Sequence, residues 1–252
     1  MRESDFRAGS VLRFCIGGAL LAVGSVLTLA LAILLLPWRT ARIRLCNLYG
    51  HTVGRGIVYL AGATPRVQNR ERLDGSMPAI YVANHTSTLD AFLCIWLCPY
   101  GGCGVFKKEI VRIPFFGWLA ALSGHLLLDR AHHGRAVLAL RQTAELVRRH
   151  RLGIWIMPEG TRSKDGQLQP FKKGFVHLAI ATGLPVVPVV LRGAQRNWRR
   201  GTFTFVPTIV DVEVLEPVST VGWREETAGD HAEAVRALFA GALARGAALP
   251  VG

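Results

Sequence analysis

The chain has 252 residues and carries 30 Lys and Arg against 17 Asp and Glu, a formal charge of +13. Half of it is apolar and only 19% is charged, with a positive mean hydropathy of +0.30, which excludes a chain too polar to bury a core. Five cysteines, Cys15, Cys46, Cys94, Cys98 and Cys103, are odd in number and too sparse for a disulfide-stapled secreted scaffold.

From Phe14 to Leu36 there are 23 residues without a charge, and at about 1.5 Å each a helix of that length crosses a hydrocarbon layer of roughly 30 Å. A cleaved signal peptide has a shorter apolar centre, roughly 7–15 residues, and Ile33 to Pro37 offers no small-residue cleavage site. The segment therefore reads as a retained membrane helix. Gly17, Gly18 and Gly24 also allow a re-entrant hairpin with Ile43 to Tyr59. Arg2, Arg7 and Arg13 precede the run, and Arg39, Arg42, Arg44 and Arg55 follow it. This count leans toward a cytoplasmic side for everything downstream, with the chain seated in the inner cell membrane. Residues 1–65 are expected to form the membrane-inserting segment and 66–252 the functional domain.

After a polar link, Arg66 to Gly75, short apolar runs alternate with helical patterns. Ala79 to Ala83, Val105 to Phe106, Leu126 to Leu128, Ile154 to Met157 and Val186 to Leu191 read as strands buried on both faces, as in parallel sheets. Leu89 to Leu97, Phe115 to Leu122, Arg135 to His150 and Phe171 to Thr182 read as helices between them, and Ala232 to Ala244 as a closing helix. Val210, Val212 and Val214 alternate with Asp211 and Glu213, which predicts a half-exposed edge strand. The alternation makes this an α/β domain.

Two stretches stand directly after buried strands, where sites in open sheets gather. In Asn84-His85-Thr86-Ser87-Thr88-Leu89-Asp90, a carboxylate in the first helical turn can fold back onto the imidazole, fixing its tautomer and leaving the other nitrogen to take a proton. The plainer reading is a surface histidine followed by an acid that complements the helix dipole. In Met157-Pro158-Glu159-Gly160-Thr161-Arg162-Ser163, the glycine admits a ligand to the backbone, Arg162 offers a planar fork for phosphate, and Glu159 can accept from hydroxyls. The plainer reading pairs Glu159 with Arg162 in a turn. Lys107 and Lys108, Arg130 after the Leu126 to Leu128 strand, and the Phe171-Lys172-Lys173-Gly174 stretch add cations near the same rim. The apolar block Ile113-Pro114-Phe115-Phe116-Gly117-Trp118 suits an acyl path or the bilayer.

Other chemistries find less in the sequence. Thr86, Ser87, Cys94 and Cys98 are the available nucleophiles for a covalent route, and His125, Asp129, His132 and His133 can be drawn as a metal cluster. Cys94, Cys98 and Cys103 lack zinc-site spacing and read as core thiols. The Asn84 sequon reads as chance. Nucleic-acid motifs are not seen, so Arg192, Arg196, Arg199 and Arg200 read as a solvated face near anionic head groups.

The stretch from Ala79 to about Ala194 resembles the 1-acylglycerol-3-phosphate O-acyltransferase family. In order it carries His85 and Asp90 of the His-x4-Asp box, the Lys107 to Trp118 block, Asp129-Arg130, the Glu-Gly-Thr-Arg box of Glu159 to Arg162, Phe171 to Gly174 and Val187 to Val189. Met157 departs from the phenylalanine common before Pro-Glu-Gly. The resemblance implies a glycerol-3-phosphate acyltransferase-like fold, a mixed and largely parallel sheet flanked by helices, with the N-terminal membrane helix or helical hairpin beside it. It implies acyl transfer from an acyl-CoA or acyl carrier protein thioester to the 2-hydroxyl of lysophosphatidate, giving phosphatidate. His85 would be the general base and Asp90 its orienting partner. Glu159, Gly160, Thr161 and Arg162, with Lys107, Lys108 and Arg130, would hold the glycerol phosphate. No metal or cofactor is expected beyond the thioester co-substrate. Relatives acting on lyso-ornithine lipid or other lysophospholipids, and a non-enzymatic basic module that binds membrane lipids, are the competing expectations.

Overall fold

The computed structural model describes residues 3–128, 143–199 and 201–247, without the side chains of 3–8, 106, 107, 128 and 247. Its centre is a seven-stranded sheet built from β1 (Ala63–Gln68), β2 (Ile80–Ala83), β3 (Gly102–Lys107), β4 (Leu126–Leu128), β5 (Gly153–Ile156), β6 (Val186–Arg192) and β7 (Thr208–Val214). The spatial order is β1-β7-β6-β2-β5-β3-β4. All neighbours are parallel except β6 and β7, which is the mixed, largely parallel α/β sheet expected.

The middle strands are apolar throughout because both faces are covered. Every residue of β2 is fully buried, with Ile80 beside Val186 and Ile154 and Tyr81 beside Val187 and Trp155. Residues alternate between two cores. Tyr81, Ala83, Val187, Val189 and Trp155 face the N-terminal helices and α5 (Leu89–Leu97). Ile80, Val82, Ile154, Val186 and Val190 face α8 (Gly174–Thr182), α10 (Ala228–Ala247) and Val147, the last in α7, whose described part covers 143–150.

The valine-alternating strand β7 is not an edge. It lies between β6 and β1, pairing Val210 with Pro65 and Val212 with Val67. β1 lies within and just ahead of the stretch expected to be a link. Its burial alternates along Ala63–Gln68, and Thr64, Arg66 and Gln68 make it look like a polar connector. The half-exposure of Asp211 and Glu213 reflects an uncovered face, not a missing neighbour.

The N-terminal apolar run is one helix, α1 (Glu3–Leu34). Within it Gly9–Leu34, 26 residues of mean hydropathy 2.3, is long and apolar enough to cross a membrane. It turns back through residues 35–38 into α2 (Arg39–Tyr49), a π-helical turn at Gly50–Gly54 and α3 (Arg55–Leu60). Positions that rise along α1 meet positions that fall along this second arm. Gly17 faces Ile57, Leu20 lies over Gly56, Gly24 faces Tyr49 and Val53, and the Ser25 hydroxyl bonds that of Tyr49 at 2.8 Å. The N-terminal unit is therefore an antiparallel helical hairpin. Val11, Leu12, Val23, Val26 and Leu27 stay exposed on its outer side, an apolar surface suited to lipid.

The hairpin also positions α5. A Cβ on Gly50 would stand 2.9 Å from the Ile95 carbonyl oxygen, and one on Gly54 2.8 Å from that of Phe92. Glycines four apart let the two backbones approach more closely than side chains would allow. The α4 (Glu71–Gly75), α6 (Phe116–Leu122) and α9 (Ala194–Asn197) helices complete the described fold.

Candidate active site

The site begins where β2 ends. Asn84 donates its side-chain amide to the Leu191 carbonyl at 2.9 Å and accepts the Leu191 N–H at 2.8 Å. A side chain thus replaces a ladder rung with β6, and the backbone is released into a loop at a fixed point. His85 follows. Its N–H donates to Glu159 Oε1 at 2.7 Å and its carbonyl accepts the Ser163 N–H at 2.8 Å, so both main-chain groups are tied to the loop after β5.

The imidazole Nδ1 lies 3.1 Å from Asp90 Oδ2. Asp90 is in the first turn of α5 and fully buried, while the His85 side chain keeps 19% exposure. The same carboxylate oxygen accepts the N–H groups of Thr86 at 2.6 Å and Ser87 at 2.7 Å. Three donors converge on one oxygen, which curls the loop back over the helix start and orients the ring. Ser87 donates its hydroxyl to the Trp198 carbonyl and accepts from the Leu89 N–H. It is completely buried and committed, not presented as a nucleophile.

Glu159 is put to a use the sequence does not suggest. Its second oxygen accepts the Gln169 N–H at 3.3 Å, and the side chain is 3% exposed. With both oxygens on backbone donors, it braces His85 from behind and does not offer itself to a ligand hydroxyl. Burial raises its pKa, and the bonds from His85 and Gln169 oppose that shift. Gly160 takes a positive φ of 73°, which only glycine adopts freely. Thr161 is exposed, and Arg162 donates through Nη1 to the Thr88 hydroxyl. Lys108 is exposed in the Lys108–Arg112 turn. The Lys107 side chain and Arg130 lie outside the described residues, as do Asp129, His132 and His133.

His85, Gly160, Thr161 and Arg162 line the polar side of a cavity of about 510 Å³, within the range of small-molecule sites. Its apolar wall comes from Ala91, Cys94 and Ile95 of α5, from Cys98 just after that helix, and from Val105, Ile113, Trp155 and Met157. Burial pushes the Cys94 and Cys98 thiols well up, Cys94 also through Asp90, which keeps them protonated and poor nucleophiles. His125 lines the inner wall, and burial followed by the Arg39 charge brings it down to about 4. Among the described residues no group of three or more metal-binding side chains is assembled. The Ser163 N–H on the His85 carbonyl and the Asn84 amide on Leu191, one residue earlier, leave no motif in the sequence, because a backbone partner has none.

The His85–Asp90 pair therefore stands beside a largely apolar cavity on a mixed, largely parallel sheet. The family model described as Acyltransferase matches residues 64–192. The chain is 40% identical over 207 residues to a 1-acyl-sn-glycerol-3-phosphate acyltransferase of Limnanthes douglasii, covering 82% of this chain and 73% of that one. It is 32% identical over 191 residues to one of Salmonella typhimurium, covering 76% and 77%. The crystal structure of the 1-acyl-sn-glycerophosphate acyltransferase PlsC of Thermotoga maritima superposes with a TM-score of 0.80 at 26% identity, over 99% of this chain and 100% of that one. The chain belongs to the 1-acyl-sn-glycerol-3-phosphate acyltransferase family.

Proposed function

We propose that the chain transfers a fatty acyl group from an acyl thioester to the 2-hydroxyl of 1-acylglycerol 3-phosphate, giving phosphatidate, with His85 as general base. The observation that carries this reading is the His85 Nδ1 to Asp90 contact at the mouth of the 510 Å³ cavity. With its Nδ1 proton directed at Asp90, His85 keeps the Nε2 lone pair for the substrate. Nε2 takes the hydroxyl proton as the alcohol oxygen bonds to the thioester carbonyl carbon. The tetrahedral intermediate then expels the thiolate, which recovers that proton from the imidazolium. Ester and free thiol are the products, and no acyl-enzyme forms. Asp90 stabilises the imidazolium in between, as the acid does in a serine-hydrolase triad whose serine is replaced by the substrate alcohol. Glu159 holds the His85 backbone in line, and Arg162 faces the acceptor phosphate. The apolar wall takes a fatty chain.

The donor is acyl-CoA or acyl carrier protein, both acidic partners for a chain of charge +13. The hairpin seats the molecule in the inner membrane, with the sheet domain, from β1 onward, on the cytoplasmic side. Arg39 and Arg42, on the arm that follows α1, support that placement while also donating to the carbonyls of Gly124 and Leu122. The test is thiol release from an acyl thioester by the detergent-solubilised protein. Release that depends on added lysophosphatidate and yields phosphatidate is expected. Thioester cleavage independent of any acceptor, or none with any lysolipid, overturns the reading.

A further inference from the structure

The Phe171–Gly174 stretch leads from the loop after β5 into α8. Phe171 is a core residue, its ring meeting Phe175 and Phe239 edge-on at 6.3 and 5.2 Å. Lys172 is exposed, yet its course is fixed at both ends. Its N–H donates to the Pro158 carbonyl at 2.9 Å, which ties it to the loop after β5. Its side chain then runs across Gly160, where a Cβ would stand 3.0 Å from Nζ, 3.1 Å from Cε and 3.3 Å from Cδ. Gly160 lines the cavity, and two positions on Arg162 lines it too, with its guanidinium held against Thr88 of the His85 loop. Arg162 therefore lines the cavity directly, and the Lys172 ammonium lies against Gly160, which lines it.

We propose that Lys172 is a headgroup-binding residue, which with Arg162 takes the phosphate monoester of the acceptor. The absence of a side chain at Gly160 lets the ammonium lie over this lining residue, within reach of a headgroup that protrudes from the cavity. This rests on the reading of lysophosphatidate as acceptor and sharpens it. A phosphate monoester carries between one and two negative charges near neutral pH, whereas a phosphodiester carries one. A planar fork and a compact ammonium together match the monoester better than either does alone. Lys172 thus favours a terminal phosphate over an esterified headgroup.

The test uses the full-length protein in detergent with 1-oleoyl lysophosphatidate or 1-oleoyl lysophosphatidylcholine as acceptor and oleoyl-CoA as donor. Lys172→Met should raise the KM for lysophosphatidate about tenfold, more than it lowers kcat, and reduce the preference for the monoester by a similar factor. The KM for oleoyl-CoA should stay within about twofold, and Lys172→Arg should restore most of the loss. An unfolding midpoint equal to wild type separates these effects from misfolding. An acceptor KM unchanged in Lys172→Met, or a donor KM that rises in its place, overturns the role of Lys172 alone. A wild-type protein that does not acylate lysophosphatidate overturns the acceptor reading, and Lys172 falls with it.

Discussion

Two histidines line the same cavity in opposite circumstances. His85 sits at the mouth, part exposed, with Asp90 on Nδ1 and its backbone held by Glu159 and Ser163. His125 is on the inner wall, where Nδ1 accepts the Gly104 N–H at 3.2 Å and burial brings its pKa down to about 4. One ring is braced by a carboxylate that can stabilise its charged form. The other is kept neutral by its surroundings. The same residue type serves as the proposed base or as a piece of wall according to what touches it, which is how a fold separates acid–base roles.

The sharpest way to break this contrast is to remove the braced ring. His85→Ala should cost on the order of 10²- to 10⁴-fold in kcat, the usual worth of positioned base catalysis, with the fold retained. Asp90→Asn should fall in a similar range, since an amide in that place no longer selects the tautomer. Thiol-release kinetics decide both, and a near-normal rate in either variant would sink the base assignment. Glu159→Gln is expected to be milder. An amide offers one acceptor oxygen where two backbone donors now end, so the His85 backbone loosens and kcat drops about tenfold while the acceptor KM moves less. The reverse pattern, a raised acceptor KM at preserved kcat, would restore the sequence reading in which Glu159 touches the acceptor.

What the sequence made legible divides along the same line. Side chains that act toward the cavity sit in recognisable spacings, so His85, Asp90 and Arg162 are found by pattern. Contacts to backbone leave no such trace: the Asn84 side chain on Leu191, the Ser163 N–H on the His85 carbonyl and the turn of Glu159, a recognisable box residue, onto the His85 N–H are understood only when β2, β5 and β6 lie side by side. The fold repeats this. All-apolar runs such as Ile80–Ala83 and the uninterrupted Leu89–Leu97 helix are evident because burial on all sides dictates composition. β1 is hidden because only one face of it is covered, and Arg66 and Gln68 on the other look like a linker. Once β1 is missed, β7 loses its outer neighbour and is taken for the edge. The hairpin is likewise open in the sequence, since the glycines permit it without requiring it, and the Ser25 to Tyr49 bond is visible only in three dimensions.

The smallest effect expected concerns the other histidine, and it is on stability. The unfolded chain titrates His125 at the ordinary value near 6.5, whereas the folded chain takes the proton only at about 4. Between those values the unfolded state binds more protons, so stability is fully present above about pH 6.5 and declines as pH falls toward about 4. The full difference corresponds to on the order of 3 kcal/mol, or several degrees in the midpoint for a chain of this size. His125→Gln keeps a side-chain acceptor for the Gly104 N–H but has no proton to gain. Thermal unfolding of both proteins in one detergent, from about pH 7 down to about pH 4, should give a shallower acid decline for the variant, with kcat at neutral pH within about twofold of wild type. Parallel declines would mean that His125 is already charged or solvated in the fold, and the contrast between the two rings would lose its electrostatic basis. A large loss of kcat with an unchanged pH profile would place His125 among the residues that meet substrate, and the cavity would then have two working histidines.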